Sequence, residues 1–560
     1  MTVNNRTLRD HAPILLSKFN GLWRRGDVSN TPLDHFTDGA NIKFIGTSSF
    51  GTRDGVSNFQ TSAGPLADVL RVYNFPIATA NTLLVLVKDG SDGKIFHITN
   101  ATTIAGPILT ISGMTDFGFL PFAGRAYITP YKSFTTGGLT IQKGISGEFL
   151  YVYLGAGAAA RKAAGDAPTG AFGIAFSVGS VPVVDPGVRR FAVIFETDTG
   201  YLTAPGSFQA ATLTAEAAVN FSSLPVSGTS FVTKRHIVAT KADNITDTIT
   251  YGEFPNDTFQ FFFIPGAVIS DDVTTVLNGV SYFDSELLDD ASHLIDNFNE
   301  IPAGVALELY HNRLCLATDF TDISIIRVSA PGEPEAISQV DGLLTYPLDG
   351  NPITEVRELR DILYVFKRSK TGAFVDNGDV PSSWSFTSID SALGSPVHGI
   401  GTALDSGSPS IDYLTIATFR GIFLFNGQFS DPELTWKIQD LWFKINRSLF
   451  DEIQILNDPI NQRYYCVLPD GTLLIGNYAN GQDAVKIRWI LWTFGFHVSS
   501  VAIVNIDELI LGGDDTITNR SGVYTLVDGQ TDDTLYDQAG ASTDDVKIPN
   551  PIVKLGFLGG

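Results

Sequence analysis

The sequence predicts an all-β chain, and three observations predict it. Runs of four to eight β-branched, aliphatic and aromatic residues alternate with Gly, Asn, Asp and Pro clusters along most of the 560 residues, the pattern of short strands joined by tight turns. Helical periodicity is confined to 434–449, where Leu434, Ile438, Leu441, Trp442, Ile445 and Leu449 recur at steps of three and four and point to a short helix. A single strand motif also returns seven times.

That motif is a polar or glycine residue, one further residue, then an apolar run. It occurs as Asn81-Thr-Leu-Leu-Val-Leu, Gly124-Arg-Ala-Tyr-Ile-Thr, Asn312-Arg-Leu-Cys-Leu-Ala, Asp361-Ile-Leu-Tyr-Val-Phe, Asp412-Tyr-Leu-Thr-Ile-Ala, Gln462-Arg-Tyr-Tyr-Cys-Val and Asp507-Glu-Leu-Ile-Leu-Gly. The third positions, 83, 126, 314, 363, 414, 464 and 509, are separated by 43, 188, 49, 51, 50 and 45 residues. A period of about 40–50 residues is that of one four-stranded blade of a β-propeller, so about seven blades are expected. Partner strands begin at Lys94, Gly421, Gly471 and Gly522, where a hairpin requires them. Inner strands covered on both faces by neighbouring blades explain the unbroken apolar runs. The competing reading is a set of sandwich strands whose spacing is coincidental, although sandwich turns recur about every 8–12 residues.

The 188-residue interval leaves room for an inserted domain. Its left edge is the small-residue stretch Leu154-Gly-Ala-Gly-Ala-Ala-Ala-Arg-Lys-Ala-Ala-Gly-Asp-Ala-Pro, which reads as a linker. Strands are expected at 190–197, after the turn at Asp198, and at 218–221, 234–240, 259–264 and 280–283. Together they predict an immunoglobulin- or fibronectin-like β-sandwich. The expected organisation is 1–165, an N-terminal segment with the first blades; 166–298, the inserted sandwich; 299–530, the remaining blades; and 531–560, a C-terminal strand or arm.

Composition excludes several classes. A hydrophobic fraction of 44% with 17% charged residues describes a core-forming chain. A formal charge of −23 opposes a phosphate-gripping surface over most of the molecule. Cys315 and Cys466 sit in apolar runs and are expected as buried thiols. The opening Met1-Thr-Val-Asn-Asn-Arg lacks an apolar leader core, and no stretch reaches the about 18 apolar residues of a membrane span, so no membrane-spanning segment is expected.

Several segments resemble tailed-bacteriophage virion β-propellers of the nozzle, tail-hub or distal tail-tube type. They are Phe19-Asn-Gly-Leu-Trp, Thr31-Pro-Leu-Asp-His-Phe-Thr-Asp-Gly-Ala-Asn-Ile-Lys-Phe and Ser49-Phe-Gly-Thr-Arg-Asp-Gly-Val. With them go Tyr310-His-Asn-Arg-Leu-Cys-Leu-Ala, Ser329-Ala-Pro-Gly-Glu-Pro-Glu and Trp384-Ser-Phe-Thr-Ser-Ile-Asp-Ser-Ala-Leu-Gly-Ser. The resemblance covers residues 15 to 530 and includes the fibronectin-like insertion. It implies a structural virion protein in the phage tail, a homo-oligomeric ring, commonly of six copies, that closes the DNA channel. Its implied partners are an adaptor or tail-tube protein, portal-side components, and tail fibres or spikes, with packaged DNA passing non-specifically. Six copies at −23 each bring a formal charge of −138, and an acidic lumen repels the DNA backbone; the same acidity also serves solubility.

The rival reading is a glycan-degrading or glycan-binding tail protein, since propellers host glycosidases with two carboxyls about 5–10 Å apart. Among 60 Asp and Glu, candidate acids are uninformative, and no sialidase-type Ser-x-Asp-x-Gly-x-x-Trp turn occurs. The eight histidines form no His-x-x-x-His pair and neither cysteine lies in Cys-x-x-Cys. Asp89-Gly-Ser-Asp-Gly and Gly512-Gly-Asp-Asp carry calcium-type donors but read first as hairpin turns. No phosphate loop and no Gly-x-Ser-x-Gly elbow is present. The basic clusters Trp23-Arg24-Arg25, Arg161-Lys162, Arg189-Arg190, Lys234-Arg235-His236 and Lys367-Arg368 are expected on solvated edges. Trp384, Trp436, Trp442, Trp489 and Trp492 are expected in packing between blades, with a protein interface or a sugar site as the other options. No enzyme activity, catalytic residue, cofactor or metal site is assigned.

Overall fold

The computed structural model describes residues 20–22, 24, 35–45, 49–60, 65–66, 68–77, 80–100, 102–136, 139–155, 157–178, 184–242, 260–346, 349–378, 380–404, 412–505, 508–514, 520–530, 532–536, 543–547 and 552–555. Phe19, Trp23, Arg25 and residues 31–34 of the opening segments lie outside these. The chain is nearly all β, and among the described residues no helix is long and apolar enough to cross a membrane.

Each of the seven repeat positions falls in the second strand of a different antiparallel sheet. The first sheet runs Val69–Ile77, Ala80–Asp89, Asp92–Asn100, Thr103–Ser112 in chain order. The second is built on Asp116–Phe122 and Arg125–Thr136, the latter pairing also with Leu139–Gly144 and Tyr151–Tyr153. The third opens with Ala306–Tyr310 and Arg313–Ala317, the fourth with Ile353–Leu359 and Ile362–Lys367, and the fifth with Ile400–Leu404 and Asp412–Thr418. The sixth opens with Gln454–Asp458 and Arg463–Val467, and the seventh with Val498–Val504 and Glu508–Gly513. Leu83, Ala126, Leu314, Leu363, Leu414, Tyr464 and Leu509 are all buried. Ahead of them the hairpins turn through successive positive-φ residues at Ala123-Gly124, His311-Asn312 and Arg360-Asp361, the backbone signature of type I′ turns.

The core lies between adjacent sheets. Because side chains alternate faces along a strand, Leu83, Val85 and Val87 pack with Ala502, Val504, Ile510 and Val523 of the seventh sheet. Leu84 and Leu86 pack with Phe117, Ala126 and Ile128 of the second. Both faces of the first sheet are therefore covered, which is why its second strand reads as an unbroken apolar run. First strands of successive sheets adjoin: Ala306–Tyr310 lies against both Asp116–Phe122 and Ile353–Leu359, and Ile400–Leu404 against Gln454–Asp458. Val498–Val504 returns to Val69–Ile77, where Ser500 Oγ accepts the Val72 N–H at 3.1 Å.

Both chain ends are woven into the last two sheets. Gly55–Asn58 pairs antiparallel with Gly522–Val527 and adds the fourth strand of the seventh sheet. Phe36–Ala40 lies parallel to Arg488–Trp492 in the sixth, and Ile552–Leu555 pairs antiparallel with Phe36–Ala40 at the sheet's edge. The segment expected as a C-terminal strand or arm thus contains Asp532–Tyr536 and Thr543–Lys547, which form a hairpin, and this outer strand.

Between the second and third sheets, seven strands form two further sheets. One is ordered Gly173–Val178, Ala217–Ser222, Leu277–Val280 and the other Gln209–Leu213, Gly187–Thr197, Val232–Ala239, Phe262–Ile269. They share one core containing Phe191, Val193, Phe195, Val219, Phe221 and Ile237. Three expectations shift here. Residues 201–205 form no strand: Leu202 makes a single bridge to Glu196, and Thr203 Oγ1 instead accepts the Phe195 N–H. The strand expected at 280–283 ends at Val280, and Phe283 caps a 3₁₀ turn. The segment 434–449 holds only a four-residue α-helix, Gln439–Trp442, next to the 3₁₀ turn Trp436–Ile438. Leu434, Ile438 and Trp442 each reach the core without a continuous helix.

Candidate functional site

The first strands of the sheets carry charged residues inside otherwise apolar runs, and these converge. Arg71 Nε donates to Asp116 Oδ2 at 2.7 Å, and Arg71 Nη1 donates to the Ser499 carbonyl at 2.8 Å. His398 Nε2 lies 3.1 Å from the same Asp116 oxygen and 2.7 Å from the Tyr131 hydroxyl, with the Tyr73 hydroxyl 3.2 Å away. His398 sits at φ 60, a left-handed conformation uncommon outside glycine, which is where the chain turns just before the fifth sheet. Beside this group, Arg357 Nη1 donates to Glu308 Oε2 at 2.8 Å and its Nη2 lies 3.6 Å from Glu355. Side chains of the first and second sheets and of the segment entering the fifth thus meet in one layer against a backbone carbonyl of the seventh, and the third and fourth sheets meet beside it.

Burial fixes the charge states. It pulls the Asp116 carboxyl upward, but the Arg71 guanidinium, His398 and the Phe117 N–H outweigh it and hold the group at about 2. Burial, reinforced by the Asp116 charge, pushes the Tyr73 and Tyr131 phenols well above their ordinary value. Burial also raises Glu308 despite Arg357. The tyrosines keep their protons, and the carboxylate is held by three donors. That arrangement cross-links sheets electrostatically and offers no activated nucleophile.

The layer separates two cavities. One, of about 530 Å³, is bounded by Leu70, Arg71, Asp116, Tyr131, Asp451 and His497 among others. The other, of about 340 Å³, lies against Tyr73, Arg357, His398 and Gln454. The passage between the first strands is thus blocked by Arg71, Asp116, His398, Tyr73 and Tyr131.

Most described members of the basic clusters are not on solvated edges, although Lys162 and Lys234 are, each 46% exposed. Arg189, Arg190, Arg235, Lys367 and Arg368 are buried, and carboxylates turn them inward. Arg189 pairs with Asp284, and Arg235 Nη2 lies 3.2 Å from Asp271. Lys367 Nζ donates to Asp349 at 2.9 Å. Arg161 Nη2 meets Asp198 at 2.6 Å and Nη1 meets Glu335 at 3.1 Å, while Lys162 pairs with Glu300. Lys234 and His236 share Glu196. A buried guanidinium requires such partners, and a basic pair in a sequence does not reveal them. Trp384, Trp442, Trp489 and Trp492 are buried. The indoles of the last three donate to the carbonyls of Thr418, Leu434 and Ile42, as packing between sheets requires. Asp89 and Asp92 flank a hairpin turn at Gly90, and Gly512 and Gly513 lie in a strand. Among the described residues no group of three or more His, Cys, Asp or Glu side chains is placed to hold a metal ion. Cys315 and Cys466 are free, buried thiols that burial pushes upward. The sequence reading missed this charged layer. Its signal was a charge in the first strand of each of the first four sheets: Arg71, Asp116, Glu308 and Arg357.

No protein-family model matches the chain, and no curated protein matches it. Solved structures similar to it include Sqt1 from Chaetomium thermophilum, at 12% identity over 85% of this chain and 99% of that one, with a TM-score of 0.32. AztD from Citrobacter koseri is similar at 8% identity over 81% and 95%, with a TM-score of 0.28. The Neurospora crassa Pan2 WD40 domain is similar at 11% identity over 45% of this chain and 66% of that domain, with a TM-score of 0.24. Likeness at this level decides neither fold nor function.

Proposed function

We propose that the chain is a seven-bladed β-propeller interrupted by an immunoglobulin/fibronectin-like sandwich, with units at 1–165, 166–298, 299–530 and 531–560. We read it as a non-enzymatic structural protein of a tailed-phage virion, forming a ring-shaped tail nozzle or hub. In this reading copies assemble as a homo-oligomer, six in the resembling proteins. They close the DNA channel and join the tail to adaptor or tube proteins on one side and to receptor-binding fibres or spikes on the other.

The observation that supports the reading is that the paired basic residues are turned inward or engaged by carboxylates, Lys162 and Lys234 alone of these pairs staying exposed. The pairs available to phosphate, at Arg161-Lys162, Arg189-Arg190, Lys234-Arg235 and Lys367-Arg368, are buried or held by carboxylates. The acidic excess of the chain is then left to its surface, where it repels a polyanion at short range. Because Arg71, Asp116 and His398 fill the passage inside one copy, the DNA path in this reading runs between copies.

Negative-stain electron microscopy of the purified full chain tests the assembly directly. An annulus with a central opening is the expected image, and particles that stay monomeric at all concentrations overturn the ring. Hydrolysis of host surface polysaccharide by the purified chain would move the assignment to the glycan-degrading class.

A further inference from the structure

One hairpin of the second sheet carries charge that the described residues leave unmatched. In the pair Arg125–Thr136 and Leu139–Gly144, Lys132 stands directly opposite Lys143 and Phe134 opposite Ile141. Side chains alternate faces along a strand. Tyr131, Ser133 and Gln142 border the cavity of about 530 Å³, so Lys132, Phe134, Ile141 and Lys143 share the other face. Both ammonium groups lie 4.7 Å from the centre of the Phe134 ring. Like charges directly opposite each other on a sheet repel, and the ring offsets only part of that. Among the described residues no carboxylate pairs with either lysine.

The opposite chemistry lies on the inserted sheets. A groove of about 570 Å³ is lined by Phe263, Val268 and Leu288 together with Glu286 and Asp289. Leu288 is 81% exposed and Val268 43%, an apolar patch with a polar rim of the kind that marks an interaction site. Glu196 in the same groove is matched by Lys234 and His236, whereas no cation pairs with Glu286 or Asp289 among the described residues. The two surfaces stand too far apart to meet within one copy. Arg125 Nη1, at the start of its strand, donates to the Thr199 carbonyl at 3.4 Å, beside Gly200 of the groove. Phe134 lies towards the far end of the same strand, about 30 Å away at about 3.3 Å per residue. We propose that Lys132, Phe134, Ile141 and Lys143 of one copy dock in this groove of the next copy. The ammonium groups then meet Glu286 and Asp289, and Phe134 and Ile141 cover Leu288 and Val268. Two different surfaces at opposite ends of a strand make a head-to-tail contact, which closes into a ring where the rotation per copy allows it. A nucleic acid would satisfy the lysines but leave Ile141, Leu288 and Val268 in water, so a second copy is the better match.

This contact rests on the reading that copies assemble, and it can fail while that reading stands. Analytical ultracentrifugation of the full chain over a concentration series, at physiological ionic strength to screen diffuse attraction, measures it. Lys132→Glu with Lys143→Glu should weaken association by about tenfold or more, because like charges would then face each other across the contact. Glu286→Lys with Asp289→Lys should do the same. An equimolar mixture of the two variants, in which the charges are exchanged, should assemble. Lys486→Glu, at an exposed lysine paired with Asp483, should leave assembly as it is. Should the lysine variant fail to fold, Glu286→Gln with Asp289→Asn reads the same contact from the other side. Rings that persist in both charge-reversed variants would overturn this contact and leave the ring in place. Wild-type particles that stay monomeric would overturn both, whereas open chains that the variants break up would support the contact and remove the closed ring. A mixture that stays dissociated, or lysine variants that lose only affinity for a DNA oligonucleotide, would overturn the docking.

Discussion

Replacing Arg53 by alanine tests how the two ends of the chain are held to the body of the protein. Arg53 and Asp533 are 0% and 1% exposed and form a two-pronged pair, Nη1 to Oδ1 at 2.9 Å and Nη2 to Oδ2 at 2.6 Å. The same guanidinium donates to the Asp54 and Thr493 carbonyls and to Asn41 Oδ1, and it stacks 4.2 Å from the centre of the Phe494 ring. Removing it leaves the Asp533 carboxylate buried with the Val56 N–H at 3.1 Å. Breaking a buried pair from one side costs about 3–5 kcal/mol, a large share of the about 5–15 kcal/mol that holds a domain folded. Urea unfolding of Arg53→Ala should show a loss in that range. Amide exchange should accelerate first in Phe36–Ala40, Gly55–Asn58 and Gly522–Val527. Because replacing both members by apolar residues is often close to neutral, Arg53→Met with Asp533→Leu should recover much of the loss. A shift below about 1 kcal/mol in Arg53→Ala, the level of an exposed ion pair, would refute the claim that this pair fastens the chain ends.

Three further outcomes follow from the same geometry. Asp116, held at about 2 in the folded state, contributes stability that is present above the ordinary carboxylate range near 3.9 and lost as pH falls from there through about 2; the difference between wild type and Asp116→Asn in acid unfolding should shrink over that window. Burial lowers the His97 pKa, with Tyr153 and Thr82 hydroxyls 2.7 and 2.9 Å from its ring nitrogens. Stability should therefore be full above about 6.5 and fall as pH drops below it, a slope that His97→Gln should remove from thermal-unfolding curves. Glu335 is 1% exposed and accepts from the Ala164 N–H at 2.6 Å, from Arg161 and from the Thr199 hydroxyl. Glu335→Ala should cost about 3–5 kcal/mol and speed proteolysis around 157–170 before the two sheets of residues 173–280 themselves unfold. Equal cleavage rates in wild type and variant would sink that expectation.

What the sequence by itself determined is the local half of the architecture. Alternation along a strand and positive-φ turns are properties of a few neighbouring residues, so the seven second strands, marked by Leu83, Ala126, Leu314, Leu363, Leu414, Tyr464 and Leu509, were legible together with their spacing. The shared core of Phe191, Val219 and Phe221 was foreshadowed by runs at the same positions. Tertiary structure decided the rest, because its partners are distant in the chain. Tyr131 meets His398 across 267 residues and Arg53 meets Asp533 across 480, and no local pattern encodes either pairing. The same holds for the basic pairs: Arg189 and Lys367 read as surface residues until Asp284 and Asp349 come to lie against them. A charge carries no mark of its counter-ion, and only the packing of sheet on sheet determines which charges are withdrawn from water.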